Sequence, residues 1–245
     1  MIDKNLILYP NDWKPIDIDI LYEDIFQNET YDKLFEINDN DIIVDLGSNI
    51  GFYTLNVLNR NPNIEKIYII EAQRKNFSYT FKNVLKLYPE LLYKCIFLNI
   101  GISGKDDIGY IGDGVSPFLS KSGKKVQLFS LINFIKKYNL PRIDILKFDI
   151  EGSELDMFYD DESLEYIFKN VNKLVGELHP SRDKQKSKLY VDIIKKFIDN
   201  NYNVELKSID LYDIKNSYLN NLKLNNNLYA WEYYNEIIFY AKKNN

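Results

Sequence analysis

Val44-Asp45-Leu46-Gly47-Ser48-Asn49-Ile50-Gly51 is the stretch on which the reading of the fold turns. The apolar run 42–46 reads as a strand buried on both faces, as parallel strands do. It ends in a glycine-containing turn, and residues 52–59 follow with helical spacing. Gly47 and Gly51 can take backbone angles closed to other residues and let a ligand approach the main chain. A helix that opens at such a turn presents free N–H groups to negative groups. The turn is not the dinucleotide fingerprint G-x-G-x-x-G, because position 49 is Asn. It is not a phosphate loop either, because no G-K-[ST] follows. Asp45 ends the strand, where it can meet ligand hydroxyls or amines.

Outward from this stretch the strand–helix rhythm continues. Strands are expected at 66–70, 95–100, 143–148 and 171–178, with helices at 75–87, 131–138, 153–160 and 186–200. Strands alternating with helices predict a parallel sheet covered on both faces. Two last strands, 204–208 and 236–242, lack a clear helix between them and flank the polar stretch 213–227. They predict an antiparallel C-terminal edge. The expectation is an α/β, doubly wound, mostly parallel seven-stranded sheet over residues 41–245. Residues 1–40 read as a helical or irregular lead-in. Ile16, Ile18, Ile20, Leu21, Ile25 and Phe26 suggest strand then helix, and 30–37 a further helical turn or two. Residues 101–126 are rich in Gly, Ser and Asp, with a weak strand signal at 108–111, and read as an inserted loop or hairpin. Long loops in compact domains are often functional.

Composition narrows the chemistry. The chain has 245 residues, room for one large domain or two small ones, and only one His and one Cys. No disulfide can form within the chain, and multi-ligand Cys/His zinc sites and two-His metalloprotease motifs are excluded. Any Ser-His or Cys-His nucleophile system must use His179. The net charge is −5, and only Arg60, Arg74, Arg142 and Arg182 are Arg. No basic block marks a nucleic-acid footprint, so a nucleic-acid partner is disfavoured. Abundant Asn, Ile, Lys and Tyr read as the mark of an AT-rich genome. No apolar leader or membrane-length span is visible, and a cytoplasmic protein is expected.

Glu71 ends the second strand. In a doubly wound sheet, an acidic residue there can hold the hydroxyls of a ribose. Lys147, Asp149, Glu151 and Glu154 gather at the end of the fourth strand, and Glu177 and His179 at the end of the fifth. Period-two alternation sets Lys147, Asp149 and Glu151 on one side while the chain stays extended. Ligands of open α/β sheets bind outside the carboxyl ends of the strands.

Five segments, in order between about residues 30 and 180, carry a resemblance to a known family. VDLGSNIGFYTL (44–55) resembles motif I of class I S-adenosylmethionine-dependent methyltransferases, particularly the FkbM family. IEAQRKNF (70–77) is similar to that family's E-P-x-x-x-x-F segment, with Ala72 and Gln73 after the Glu. LNIGIS (98–103), RIDILKFDIEGSE (142–154) and GELHP (176–180) resemble its third-, fourth- and fifth-strand motifs. The resemblance implies a Rossmann-like class I methyltransferase fold and S-adenosyl-L-methionine as cofactor. It implies that Gly47, Ser48, Asn49 and Gly51 wrap the amino-acid part, with Asp45 nearby. Glu71 would hold the ribose, with Ala72 beside it, and Asn99, Gly101 and Ser103 would lie near the adenine. Tyr31 is a candidate cover for the methionine end.

Three readings of the acidic rim stay open. His179 or a carboxylate of Asp149 or Glu151 is a general base for an acceptor hydroxyl, with Lys147 in the same cluster. Alternatively Asp149 with Glu177 or His179 binds a divalent cation, Mg, Mn or Fe. Or the acids are structural, pairing with Lys147 or capping a helix. The resemblance implies an O-methyltransferase acting on a hydroxyl of a sugar, nucleotide-linked sugar or related small molecule in polysaccharide or secondary-metabolite biosynthesis. Tyr110, Phe118 and the loop 112–122 are candidates to line the acceptor pocket. The rivals are a catalytically silent binding module, a nicotinamide dehydrogenase, and an amino-group methyltransferase, whose D/N-P-P-Y/F signature is missing.

Overall fold

Seven strands form the central sheet of the computed structural model, which describes residues 2–32, 36–116, 119–179, 187–208 and 237–244. They are β1 (Ile42–Leu46), β2 (Lys66–Ile70), β3 (Cys95–Leu98), β8 (Ile143–Phe148), β9 (Val171–Leu178), β10 (Tyr202–Ser208) and β11 (Ile237–Lys243). Their order is β10-β11-β9-β8-β1-β2-β3. All neighbours are parallel except β11, which runs antiparallel to both β9 and β10. This is the doubly wound sheet with an antiparallel C-terminal edge that the sequence predicts. The strand order reverses at β1, with β2 and β3 added on one side and β8 and β9 on the other. Ligands of such sheets bind at this point.

The central strands are buried on both faces, as β1 is along its whole length. One face carries α4 (Leu131–Tyr138), α5 (Glu154–Tyr159), α6 (Asp161–Asn170) and α7 (Ser187–Asp199) over a core that includes Val44, Leu46, Phe148, Phe158, Phe197 and Phe239. The Phe148–Phe158 and Phe158–Phe197 rings meet edge to face. Each fully buried apolar side chain of this kind contributes roughly 1.5–3 kcal/mol. The other face carries α1 (Pro15–Tyr22), α2 (Phe52–Arg60) and α3 (Arg74–Leu87).

The N-terminal residues join this second core through Trp13, Ile18, Ile25 and Phe26. The expected strand does not form there. Pro15 opens a helix whose Asp17 carboxylate accepts the Lys14 N–H, and a π turn, Glu23–Gln27, follows. Ile16 and Ile20 consequently face solvent. Of the turn expected at 30–37, residues 33–35 lie outside the described residues. Buried Asn83 fixes this segment to α3, exchanging two hydrogen bonds with the Leu8 main chain.

Residues 101–130 depart most from expectation. The strand signalled at 108–111 is there, but in place of a single loop or hairpin a second sheet forms, from β4 (Gly101–Ser103), β5 (Asp107–Ile111), β6 (Leu119–Ser120) and β7 (Lys124–Ser130) in the order β4-β7-β5-β6. Val126, Leu128 and Ile111 make its small core. No helix among the described residues is long and apolar enough to cross a membrane.

Candidate active site

A cleft of about 570 Å³ opens at the carboxyl ends of β1, β2 and β8, with the second sheet as its far wall. Gly47, Asn49, Glu71, Gly101, Asp149 and Glu151 are among the residues that line it. The turn after β1 is tied to the sheet, with the Gly47 and Ser48 N–H groups both donating to the Ile70 carbonyl. Gly47 takes φ +76°, and a Cβ there would stand 1.7 Å from the Asp149 carbonyl oxygen. A glycine is therefore what lets the turn and the end of β8 meet.

Asn49 also lies in the left-handed region, at φ +54°. Its N–H donates to Glu71 Oε2 at 2.8 Å, and its side-chain amide donates to the Val115 carbonyl at 3.0 Å. Its carbonyl accepts the Thr80 hydroxyl at 2.6 Å. One residue thus joins the turn, the end of β2, α3 and the second sheet. The other Glu71 oxygen accepts the Gln73 N–H at 2.7 Å. Burial pushes the Glu71 carboxyl up to about 8, although both backbone donors and the Lys147 charge pull the other way. Each Glu71 oxygen can accept more than one donor. Asn76, another lining residue, and Ser48 in the turn each hold a buried side-chain oxygen with no hydrogen-bond partner among the described residues. A buried carboxyl group with hydrogen-bonding capacity to spare, beside unsatisfied polar atoms and the bare main chain of Gly47, suits a ligand rich in hydroxyl and amide groups.

The opposite wall is the acidic rim. The chain leaves β8 at Phe148 and turns through Glu151 (φ +55°) and Gly152 (φ +100°). Glu154 Oε1 holds that turn by accepting the Ile150 and Gly152 N–H groups, both at 3.1 Å. The same oxygen pairs with His179 Nδ1 at 3.0 Å. The other imidazole nitrogen, Nε2, is buried without a hydrogen-bond partner among the described residues. It stands 3.9 Å from Asp149 Oδ1, 3.7 Å from Glu151 Oε2 and 3.8 Å from Glu177 Oε2. Burial works against the charged imidazole, but Glu154, Asp149 and Glu177 outweigh it and raise His179 to about 10. At neutral pH the imidazole therefore carries its proton.

The remaining expected residues fall into two groups. Ala72 lines the cleft beside Glu71 and Gly101. Others lie behind it. Asp45 accepts the Thr54 hydroxyl at 2.7 Å and pairs with Lys147 at 3.3 Å. Lys147 Nζ donates to the Gly47 carbonyl at 2.8 Å and stands over the Tyr31 ring. Burial opposes its charge, but Asp45, Asp149 and Glu177 raise its pKa. The Tyr31 hydroxyl donates to Glu177, so Tyr31 supports the rim from below. The Asn99 amide donates to the Glu71 and Ala72 carbonyls at 2.8 and 3.0 Å and props the end of β2. Ser103 is buried in the second sheet. Gly51, at φ +96°, caps α2 against Thr80. Tyr110 alternates with Ile111, which faces the cleft. Phe118 lies outside the described residues.

Val115 and Leu119, from the loop 112–122 expected to line a pocket, do line this cleft. Sequence reasoning missed Asn76 and Leu128, which also line it, and Gln73, whose amide donates to the Gly112 carbonyl at 3.2 Å. The position of Asn76 in the first turn of a helix that follows a β-strand was the available signal for that residue.

The sequence model of the methyltransferase FkbM domain matches residues 45–204. None of the curated proteins matches the chain. Among solved structures, an FkbM methyltransferase from Methylobacillus flagellatus KT superposes with a TM-score of 0.56 at 16% identity, over 89% of this chain and 47% of its own. The chain thus spans about half the length of that protein. A protein described as a putative rRNA methylase from Clostridium thermocellum superposes with a TM-score of 0.51 at 10% identity, over 85% of this chain and 89% of its own. At these identities the likeness is one of fold.

Proposed function

The chain belongs to the FkbM methyltransferase family, and from that premise we propose that it transfers a methyl group from S-adenosyl-L-methionine to a hydroxyl of a sugar or related small molecule. The observation that carries this reading is the adjacency of the two walls. Gly47 and Asn49 of the turn and Asp149 and Glu151 of the rim line one cleft. Glu71 would hold the ribose hydroxyls, and the turn 47–51 would hold the amino-acid part. When bound, this cofactor supplies an electrophilic methyl group.

The protein's share of such a reaction is mainly alignment. The acceptor hydroxyl must also lose its proton. His179 is already protonated, so Asp149 or Glu151, both lining the cleft, is the better placed acceptor. Lys147 and Asp45 act as positioning residues, holding the Gly47 carbonyl and the turn. The acidic rim disfavours a polyanionic nucleic acid more than a small polyol as acceptor.

The test incubates the protein with S-adenosylmethionine and a panel of sugars, nucleotide-linked sugars and total RNA. Mass spectrometry follows S-adenosylhomocysteine and the methylated product. The reading predicts an O-methyl ether on a sugar. Methylated RNA would overturn the acceptor assignment, and an N-methyl product would overturn the reaction type.

A further inference from the structure

The rim contains a feature that a hydroxyl-binding wall does not require. The only histidine of the chain is 2% exposed, and its Nδ1 is fixed by the fully buried Glu154. Among the described residues its Nε2 has no hydrogen-bond partner, and it lies between three carboxylates at nearly equal distance, 3.7, 3.8 and 3.9 Å. Those spacings are too long for hydrogen bonds. Ligand atoms of Asp149, Glu177 and His179 all lie within 4.8 Å of one another. Ligands bound at about 2.1 Å around an octahedral cation lie roughly 3 Å apart when adjacent and roughly 4 Å apart when opposite. Only one ligand can lie opposite Nε2, so at least two of the three carboxylates would move inward by about 0.7–0.9 Å to reach adjacent positions, a side-chain movement.

The geometry points to a divalent-cation site in which Asp149, Glu151, Glu177 and His179 are the ligands and Glu154 is the outer carboxylate that orients the imidazole. A carboxylate that accepts from the far nitrogen of a metal-binding His is the usual partner of such a ligand. Crowding four carboxylates together calls for positive charge among them; without a cation the His179 proton supplies it, and a bound cation would displace that proton from Nε2 while Nδ1–H stays on Glu154. The buried Lys147 is engaged with Asp45 and the Gly47 carbonyl. Three oxygen donors with one imidazole fit Mn²⁺, or Fe²⁺ or Mg²⁺, better than a thiolate-seeking ion. Asp149 and Glu151 also line the cleft, so the cation would face the acceptor side. An acceptor hydroxyl on the cation would be more acidic, and a strong base would not be needed. That use rests on the methyltransferase reading; binding of the cation does not.

The test uses tag-free, full-length protein stripped with a chelator. Titration with Mn²⁺ is followed by the electron paramagnetic resonance of the free ion and by the imidazole proton signals. Because there is only one histidine, those signals need no assignment. The proposal predicts about one tightly bound Mn²⁺ per chain with broadening of the imidazole signals, and loss of affinity by about tenfold or more in Asp149→Asn, Glu177→Gln and Glu154→Gln. S-Adenosylhomocysteine binding is measured in parallel on each stripped protein. No saturable Mn²⁺ binding, or equal binding by the wild type and both ligand variants, overturns the site. If S-adenosylhomocysteine binds while Mn²⁺ does not, the cation proposal falls and the methyltransferase reading stands. The reverse result keeps the cation and removes that reading.

Discussion

The two walls of the cleft are held in opposite ways. On the turn side, Glu71 receives a backbone N–H on each oxygen, and Asn49 ties four elements together by ordinary hydrogen bonds. On the rim side, four carboxylates surround one imidazole, and one of its nitrogens makes no hydrogen bond among the described residues. The first wall is preorganised for a ligand rich in hydroxyl and amide groups. The second concentrates negative charge that a proton on His179 offsets only in part. The contrast separates a surface shaped to hold from one shaped to act on what is held.

Four substitutions break or sharpen this contrast, in decreasing order of effect. Glu154→Ala removes the group that satisfies two backbone N–H donors and the imidazole at once. Breaking a buried pair of this kind costs about 3–5 kcal/mol, to be read by urea unfolding. Gly47→Ala drives a Cβ into the Asp149 carbonyl at a left-handed backbone position. It should cost about 2–4 kcal/mol and disturb both walls together. Asn49→Ala deletes the side-chain bonds to Val115 and Asn76 while leaving the rim intact. A loss of about 1–2 kcal/mol is expected, with weaker S-adenosylhomocysteine binding and unchanged Mn²⁺ affinity.

The smallest effect is one of pH. The Glu71 carboxyl is raised to about 8 in the folded chain, above its ordinary 4.5. Its contribution to stability is full below pH 4.5 and is lost as pH rises through 8. The slope is at most about 1.4 kcal/mol per unit. Between pH 6 and 7 the wild type should therefore lose about 1 kcal/mol more than Glu71→Gln. Equal pH dependence of unfolding in the two proteins would show that Glu71 titrates as it does in water.

The central sheet was legible because its strands are short, apolar and buried on both sides. Ile42–Leu46, Lys66–Ile70, Ile143–Phe148 and Val171–Leu178 occur where the apolar runs place them. The second sheet was legible only in part: the weak signal at 108–111 falls in β5, but β4 and β6 are only three and two residues long. Only the alternation of buried Val126 and Leu128 with exposed Gln127 marks β7. At the site, the turn glycines, Glu71 and the acids of the rim could be read from their places at strand ends. Their partners could not. Asp45 faces Lys147 and Glu154 faces His179 only because β1, β8 and β9 are neighbours, and sequence spacing does not encode which strands lie side by side.

Calorimetric titration of S-adenosylhomocysteine into the wild type and Glu71→Ala tests the central claim most directly. One-to-one saturable binding, weakened about tenfold or more by the substitution, is the predicted result. No binding by the wild type, or equal binding by both proteins, would contradict it.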